Sequence, residues 1–210
     1  CRELGAETEV DSWEEETANG KMAFHNVKAV LPGARKKRLI LGSHFDTKRL
    51  PSIPGFQGAN DSGSSTGLLL EIMRAVQQSG QAPPFTLEFM FFDGEECVEE
   101  YGPRDGLHGS RRRAGQIAKA DAVDQYEGMI LLDMVGDAGL TVTLPPDTPE
   151  KLGTGLLRAA SEQGVAKHFA FHRMQILDDH VPFANIGMPA MNVIDFHYGP
   201  ENSYWHTAED

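Results

Sequence analysis

Two adjacent glutamates, Glu95 and Glu96, stand close behind a strongly apolar run, residues 85–92, that has the composition of a buried strand. Neighbouring side chains at a strand end point in different directions, so one can bind a cation while the other transfers protons. Metal-assisted hydrolases and acyl-transfer enzymes require this division of labour. The pair therefore indicates a metal-dependent active site, although an isolated Glu-Glu is more often a solvated acidic turn.

Other acidic and imidazole side chains follow or lie near further apolar segments of the chain: His44, Asp61, Asp133 and His206. Ligands of open α/β sheets gather in the crevice at the carboxyl ends of the strands, so we expect these side chains to meet the glutamates there. Imidazole nitrogen and carboxylate oxygen are ligands that zinc accepts, and no thiolate is among them. The sequence therefore predicts a zinc site.

The composition is that of an ordinary globular protein. The chain has 210 residues, of which 40% are hydrophobic and 24% charged, and this favours one domain over residues 1–210. With 19 basic and 31 acidic residues the net charge is −12, which argues against nucleic acid or an anionic membrane as a partner. Two cysteines are too few for a disulfide framework, and no stretch of eighteen apolar residues suggests a membrane span.

Hydrophobic periodicity and turn residues predict alternating strands and helices. Strands are predicted at 24–31, 38–41, 85–92, 129–134, 140–144 and 190–194, and helices at 66–78, 110–119 and 149–163. Thr148 is the expected N-cap of the last helix. Several strands are apolar throughout, which is typical of a sheet covered on both faces. The predicted fold class is α/β, a three-layer sandwich with a mixed, mostly parallel central sheet.

Six short motifs occur along the chain in one order: 43–46 (SHFD), 58–63 (GANDSG), 92–96 (FDGEE), 132–133 (LD), 178–183 (DDHVPF) and 205–207 (WHT). With these motifs the chain resembles the zinc-dependent exopeptidase family M28, which includes bacterial aminopeptidases and glutaminyl-peptide cyclotransferases. The resemblance implies that Asp61, Glu96 and His206 are the ligands of the main zinc. It also implies that Glu95 is the general base and acid.

Within that family the chain is more similar to the glutaminyl cyclase branch, which converts an N-terminal glutamine to pyroglutamate and releases ammonia. The long loop 97–108 resembles the cyclases, and this similarity implies that Tyr101 borders the substrate pocket. Asp178 resembles an acidic residue of the cyclases that would hydrogen-bond the leaving group, and Asp133 is a further acidic neighbour of Glu95. Trp205 is expected to form a wall of the pocket and to support the adjacent zinc ligand by packing.

Two positions depart from the animal cyclases. Ser43 stands where those enzymes have a cysteine. The absence of that cysteine removes only a structural disulfide. Asn192 stands where they have a histidine near the active site, which bears on proton handling. The remaining histidines are expected at the surface or in loops and not as ligands: His25, His108, His168, His172 and His197.

Two alternatives stay open beside the cyclase. The first alternative is a two-zinc aminopeptidase that hydrolyses N-terminal residues, because His44 and Asp133 match the additional ligands of a second metal. We expect one zinc ion per chain, and these residues are compatible with a second. The other alternative, a binding domain without activity, is disfavoured because such a domain has no need for Glu95 as a base.

The expected partner is a peptide with a free N-terminus, and the oligomeric state is left open. The resemblance favours a secreted or periplasmic protein, although residues 1–5 lack the apolar core of a secretion signal. Family members normally continue further beyond the position of His206 than the four residues found here.

Overall fold

A computed structural model describes all residues, 1–210, and is built on one eight-stranded sheet. The strands occur in the spatial order β1-β2-β4-β3-β5-β8-β6-β7. Their bounds are β1 Glu7–Thr17, β2 Gly20–Leu31, β3 Arg35–His44, β4 Phe85–Phe92, β5 Tyr126–Asp133, β6 Val142–Leu144, β7 Phe169–Phe171 and β8 Ala190–Ile194. The four α-helices are α1 Ser65–Gln78, α2 His108–Lys119, α3 Glu150–Glu162 and α4 Val181–Asn185.

Four adjacent strands in the middle of the sheet run parallel. β3 pairs in parallel with β4 on one side and β5 on the other, and β5 pairs in parallel with β8. The flanking β1–β2, β2–β4 and β6–β8 pairs are antiparallel, whereas β6–β7 is parallel. The carboxyl ends of the four central strands therefore lie along one edge, where the loops that follow them can converge.

Helices cover both faces of this sheet, as the alternation of side chains along β4 illustrates. Leu87, Phe89 and Phe91 belong to a core that also contains Leu69 and Met73 of α1, and α3 packs against the same core. Met90 and Phe92 point the other way, into a core formed with α2 and α4. Successive strand residues face opposite sides, so an apolar run serves both cores at once. The predicted three-layer α/β architecture is confirmed.

Most predicted elements are present, with differences at their ends. The strands at 85–92 and 190–194 have the predicted bounds, and the first helix begins one residue earlier than expected. Thr148 was the wrong cap, because Pro149 occupies the N-cap position of α3 and no side chain caps that end. None of the helices has the length and apolar content needed to cross a bilayer.

Strand β1 is the largest element that the sequence did not indicate. Its residues are mainly acidic and polar, and only Thr17 at its end is buried, so it lacks the alternating apolar face by which strands are recognised. It forms because it pairs along its full length with β2. Trp13 on β1 stacks on Phe24 at 5.5 Å between ring centroids, and the Arg112 guanidinium lies 4.6 Å above the Trp13 ring. Two short elements, β7 and α4, were also not predicted.

A buried ion cluster joins β4 to α2 and β3. The side chain of Glu88 is fully buried, and its Oε1 accepts from Arg113 Nε at 2.8 Å while its Oε2 accepts from Arg38 Nη1 at 2.9 Å. Arg113 also donates to the Tyr126 hydroxyl at 2.9 Å. A buried carboxylate is tolerated only while its cationic partners remain in place.

Replacing Arg113 by alanine is therefore expected to destabilise the fold strongly. It leaves the buried Glu88 with one cation, and we expect a loss of about 3 kcal/mol or more in the free energy of unfolding, measured by urea denaturation. The matched control is Arg158→Ala, which removes an exposed pair with Glu162 and is expected to cost less than about 1 kcal/mol. Equal losses in the two variants would refute the importance of the Glu88 cluster.

Candidate metal centre and active site

Three side chains from distant parts of the chain meet beyond the carboxyl edge of the sheet. Asp61 lies on the turn 59–64 that follows β3, Glu96 follows β4, and His206 lies in the last segment of the chain. His206 Nε2 is 3.2 Å from Asp61 Oδ2 and 3.0 Å from Glu96 Oε1. Donor atoms around one tetrahedral zinc are about 3.3–3.5 Å apart, given zinc–ligand bonds of about 2.0–2.1 Å. The spacing therefore fits one zinc ion.

A second group shares Asp61 with the first. His44 Nε2, at the end of β3, is 3.1 Å from Asp61 Oδ1 and 3.4 Å from Asp133 Oδ1, at the end of β5. The two oxygens of Asp61 are thus divided between the two groups, each of which has donor atoms close enough to hold an ion. A carboxylate in this position is suited to bridge two metal ions.

Several donor atoms of these groups have no hydrogen-bond partner although they are buried. They are His44 Nε2, Glu96 Oε2 and Asp133 Oδ1. Buried polar atoms are normally satisfied, and a metal ion is one of the few partners that an imidazole nitrogen and carboxylate oxygens share. The donor set, nitrogen and oxygen without sulfur, fits zinc. These residues therefore fit the metal that the sequence motifs imply.

Glu95 lies beside this centre and is 4% exposed. The hydroxyl of Tyr101 lies 3.1 Å from both of its carboxylate oxygens and donates to them. Burial raises the pKa of Glu95 well above its usual range, and the neighbouring Asp178 and Glu96 raise it further, although His44 acts in the opposite direction. A carboxyl group with a raised pKa can both accept and return a proton near neutral pH.

Asp178 is also buried and lines the same cavity as Glu95. Its Oδ2 accepts from Asn192 Nδ2 at 2.7 Å, and its Oδ1 accepts from the Asp179 amide at 2.6 Å. Burial and the charge of Asp133 raise the pKa of Asp178 well above its usual range. Asn192 is a donor to Asp178 whose amide side chain does not change charge, so it positions the carboxyl group without titrating.

The candidate ligand His206 is set in an acidic environment. Burial lowers its pKa, but the carboxylates of Asp61 and Glu96 outweigh this and raise it to about 9. Its backbone has φ = 55°, in the left-handed region that non-glycine residues seldom adopt. A metal ion would take the place of the proton between these groups, because ligation requires the neutral imidazole.

One aspartate holds the backbone of Glu95 and Glu96, and a second holds the start of the loop that follows them. The carboxylate of Asp46 accepts from the Glu95 and Glu96 amides, each at 3.1 Å. The His44 ring lies nearer to the Asp46 backbone: His44 Nδ1 is 3.1 Å from the Asp46 carbonyl oxygen and 3.6 Å from the Asp46 carboxylate. Asp105 accepts from the amides of 98, 99 and 100 at 2.7–3.2 Å. The loop 97–108 is thus fixed by charge-assisted hydrogen bonds.

The position of the Tyr101 ring requires a glycine at residue 106 of this loop. Gly106 has φ = +77°, and a Cβ atom there would lie 2.4 Å from the Tyr101 ring and 3.0 Å from the Glu95 carbonyl oxygen. A larger residue would strain the backbone and displace the ring from Glu95.

A cavity of about 270 Å³ opens over the centre. It is lined by every catalytic, substrate-binding and main-metal residue that the sequence predicted: Asp61, Glu95, Glu96, Tyr101, Asp133, Asp178, Trp205 and His206. His44, predicted as an additional ligand, lies behind Asp61 and Asp133 and is 1% exposed. The structure thus brings all the candidate site residues together.

Comparison with known protein families finds one match over most of the chain. The model of peptidase family M28 matches residues 26–210. The chain belongs to peptidase family M28. Among curated M28-like relatives, a glutaminyl-peptide cyclotransferase of Drosophila melanogaster is 29% identical over 235 residues. That alignment covers all of this chain and 65% of the relative, so the chain spans slightly less than two thirds of its length.

Solved structures with a similar fold include a glutaminyl cyclase and a Zn-dependent exopeptidase. A glutaminyl cyclase from an Acidobacteriales bacterium superposes with a TM-score of 0.86 and 30% identity, covering 96% of this chain and 70% of that one. A Zn-dependent exopeptidase from Parabacteroides distasonis superposes with a TM-score of 0.78 and 27% sequence identity, covering 100% of this chain and 78% of that one. The family and this neighbour indicate zinc as the metal of the site.

Several residues of this M28 site were not recognised in the sequence. Lys48 donates to the Cys97 carbonyl oxygen at 2.6 Å, and its Nζ lies 3.3 Å from Glu96 Oε2, close enough for an ion pair but without hydrogen-bond geometry. Its only sequence signal is its place four residues after His44. The cavity is also lined by His172, Met174, Gln175, Ile176, Leu177 and Phe196.

No periodic pattern marks the segment 172–177, so its position is decided by the tertiary fold. Phe196 lies two residues after the end of β8. His172 does lie in a loop, as expected, whereas His108 is buried at the start of α2, with Nδ1 2.6 Å from Glu15 Oε1 and its ring stacked on Phe24.

Trp205 makes two contacts with the candidate metal-binding residues. Its ring stacks on His206 with centroids 4.1 Å apart and an interplanar angle of 24°. Its Nε1 donates to Asp61 Oδ2 at 3.0 Å. The expected packing support for His206 is therefore accompanied by a hydrogen bond that orients a second ligand.

We expect Trp205→Ala to weaken zinc binding by roughly 10- to 100-fold, because groups that orient metal ligands typically have effects of this size. Trp205→Phe keeps an aromatic ring against His206 but loses the donor to Asp61, so its effect should be smaller. Zinc affinity is measured by competition with a chromogenic chelator. Trp13→Phe, remote from the site, is the control, and an unchanged affinity in Trp205→Ala would show that the supporting role is wrong.

Proposed function

We propose that residues 1–210 act as one catalytic domain that converts the N-terminal glutamine of peptides to pyroglutamate with release of ammonia. The observation that carries this proposal is the placement of two buried carboxyl groups, Glu95 and Asp178, in one cavity with the metal-binding cluster. The similarity to glutaminyl cyclases over nearly the whole chain supports it. The substrate class is a peptide with a free N-terminus.

In the proposed site, Asp61, Glu96 and His206 hold one zinc ion. When bound, the ion supplies a Lewis acid that polarises the γ-carbonyl group of the substrate. The cavity has room for a glutamine side chain, and its acidic lining favours a substrate that carries an amine. Tyr101 and Trp205 border the space that the glutamine side chain occupies.

Glu95 transfers the proton that cyclisation requires. The α-amine attacks the γ-carbonyl carbon, a new carbon–nitrogen bond closes the five-membered lactam, and the bond to the side-chain nitrogen breaks. Glu95 accepts a proton from the amine and returns it to the departing nitrogen, which leaves as ammonia. No water is consumed. Because burial raises the pKa of Glu95, this one residue can both accept the proton and return it.

Asp178 and Asp133 assist this proton transfer. Asp178 is held by Asn192, and in this proposal it accepts a hydrogen bond from the leaving amide nitrogen. Asp133 adds negative charge beside Asp178 and raises its pKa. Tyr101 fixes Glu95 by donating to its carboxylate, which keeps the base oriented toward the amine.

A two-zinc aminopeptidase is the second candidate, and one observation favours it. His44, Asp61 and Asp133 form a further group of donor atoms within coordinating distance of one another. In that case a water molecule is the nucleophile, and the first residue of the peptide is released by hydrolysis.

The two candidates differ in metal content and in product. We expect the zinc-loaded protein to contain one zinc per chain and to release ammonia from a peptide that begins with glutamine, while an aminoacyl amide is not hydrolysed. Metal content is measured by mass spectrometry and ammonia by a coupled assay. Two zinc ions per chain with hydrolysis and no lactam would instead support the aminopeptidase.

Glu95→Gln tests the proton-transfer role. Glutamine is close in shape but cannot accept the proton, so kcat should fall by roughly 10²- to 10⁴-fold while zinc stoichiometry stays unchanged. Glu99→Gln is the matched control, since Glu99 lies in the same loop and is exposed. A Glu95→Gln variant that keeps more than a tenth of the activity would contradict the assignment.

A further inference from the structure

Three backbone hydrogen bonds close the loop 97–108 at its base. The amides of residues 107–109 donate, in that order, to the carbonyl oxygens of Glu95, Gly94 and Asp93 at 2.8–2.9 Å. The two ends of the loop therefore lie side by side, and the backbone of the proposed base is joined directly to residues 107–109. The position of Glu95 thus depends on what holds this second segment in place.

The side chain of His108 links this segment to the hairpin formed by β1 and β2. Its ring is 4% exposed and stacks on Phe24 of β2, with centroids 4.4 Å apart and an interplanar angle of 18°. His108 Nδ1 lies 2.6 Å from Glu15 Oε1 of β1. Because an ionised carboxylate can only accept, Nδ1 carries a hydrogen and donates it, which fixes the orientation of the ring.

Glu15 is held by two donors. Its Oε1 accepts from His108, and its Oε2 accepts from Trp13 Nε1 at 3.0 Å. Burial raises the pKa of Glu15, but the hydrogen bonds from Trp13 and His108 outweigh this effect and hold the pKa below its usual range. The carboxylate is therefore ionised at neutral pH and fixed by a hydrogen bond at each oxygen.

The Phe24 and His108 rings also pack against the backbone that leads to Glu95. Gly94 has φ = +71°, and a Cβ atom there would lie 2.6 Å from the Phe24 ring and 3.2 Å from His108 Cβ. The stacked pair therefore lies close against the Gly94 backbone. Protein interiors are densely packed and transmit strain, so a shift of the His108 ring is passed on to this backbone.

A second residue of the hairpin holds the same backbone from within the core. Asn26 is 2% exposed; its Nδ2 donates to the Gly109 carbonyl oxygen at 2.9 Å, and its Oδ1 accepts from the Asp93 amide at 3.2 Å. Glu15, by contrast, has 35% of its side chain exposed. A substitution of Glu15 can therefore remove its contact with His108 with little damage to the core.

We propose that Glu15 and His108 are positioning residues for Glu95. Neither lines the cavity that contains the proposed base, so neither touches the substrate. Through the backbone pairing at 107–109 they hold Glu95 in reach of the proton that it transfers, and a misplacement of about 1 Å at an active site can cost about 100-fold in rate. The inference rests on the proposed function only for the role of Glu95 as base, which a cyclase and an aminopeptidase share.

Glu15→Ala tests this role. We expect kcat to fall roughly tenfold with KM changed by less than about twofold, because the base is misplaced while the substrate contacts remain. Glu15→Gln keeps an oxygen that accepts from His108, so it should recover most of the lost kcat. Glu14→Ala, on the same strand, removes only an exposed pair with Lys21 and is the matched control with unchanged kcat. Equal kcat values in Glu15→Ala and this control would disprove the positioning role.

A double-variant cycle and a second control separate positioning from a loss of stability. His108→Phe keeps a stacked ring but removes the Nδ1 donor. The double variant Glu15→Ala, His108→Phe should lose no more kcat than either single variant, because the two residues act as a unit. Arg112→Ala removes the pair with Asp11 and the cation over Trp13, neither of which involves His108. Additive losses in the double variant, or an equal fall of kcat in Arg112→Ala, would assign the effect to the stability of β1 and reject the inference.

Hydrogen exchange gives a readout that does not depend on activity. In Glu15→Ala the amides of residues 107–109 should exchange at least about fivefold faster than in the parent protein, because local opening costs less free energy once a side-chain anchor is lost. The amides of β5 should exchange as before. Unchanged exchange at 107–109 would overturn the inference. The proposed function fails in a different way, by hydrolysis in place of lactam formation in the parent protein, and Glu15→Ala is then compared on the hydrolytic rate.

Discussion

The burial of negative charge at the carboxyl edge of the sheet is the constraint on which the site depends. Five carboxyl groups line one small cavity: Asp61, Glu95, Glu96, Asp133 and Asp178. Unpaired buried carboxylates are costly, so each must gain a cation, a hydrogen bond or a proton. The structure divides them accordingly: Asp61, Glu96 and Asp133 face imidazole groups, whereas Glu95 accepts from the Tyr101 hydroxyl and Asp178 from the Asn192 amide.

This division explains why adjacent residues of one motif have separate roles. Glu96 points to His206 and Lys48, whereas Glu95 points to the Tyr101 hydroxyl. The backbone between them is held by the carboxylate of Asp46, which accepts from both amides. The loop that follows is fixed by Asp105, so the orientation of both glutamates depends on two other aspartates that never enter the cavity. Electrostatic preorganisation of this kind is what a metal-assisted acyl transfer requires.

The fold predicted from sequence was correct where local pattern and tertiary environment agree. β4 has its predicted bounds because residues packed on both faces must be apolar throughout, and this gives a strong signal. β1 was missed because an edge strand is stabilised by pairing with its neighbour and not by its own apolar face. The same reasoning applies to the site: residues at the ends of buried strands, such as Asp133, were identified, whereas the segment 172–177 gave no signal.

The sequence by itself determined the chemistry that is available: the ligand types, the adjacent glutamates, the acidic Asp178 and the α/β fold that gathers strand ends. These features follow from residue types and from the spacing of hydrophobic residues, both of which can be read from short stretches of sequence. Only the tertiary structure decided that Asp61 is shared between two donor groups, that Trp205 donates to it, and that Met174 and Leu177 border the cavity. These contacts join residues far apart in the chain, and their distances follow from how the loops pack beyond the sheet, which no local pattern encodes.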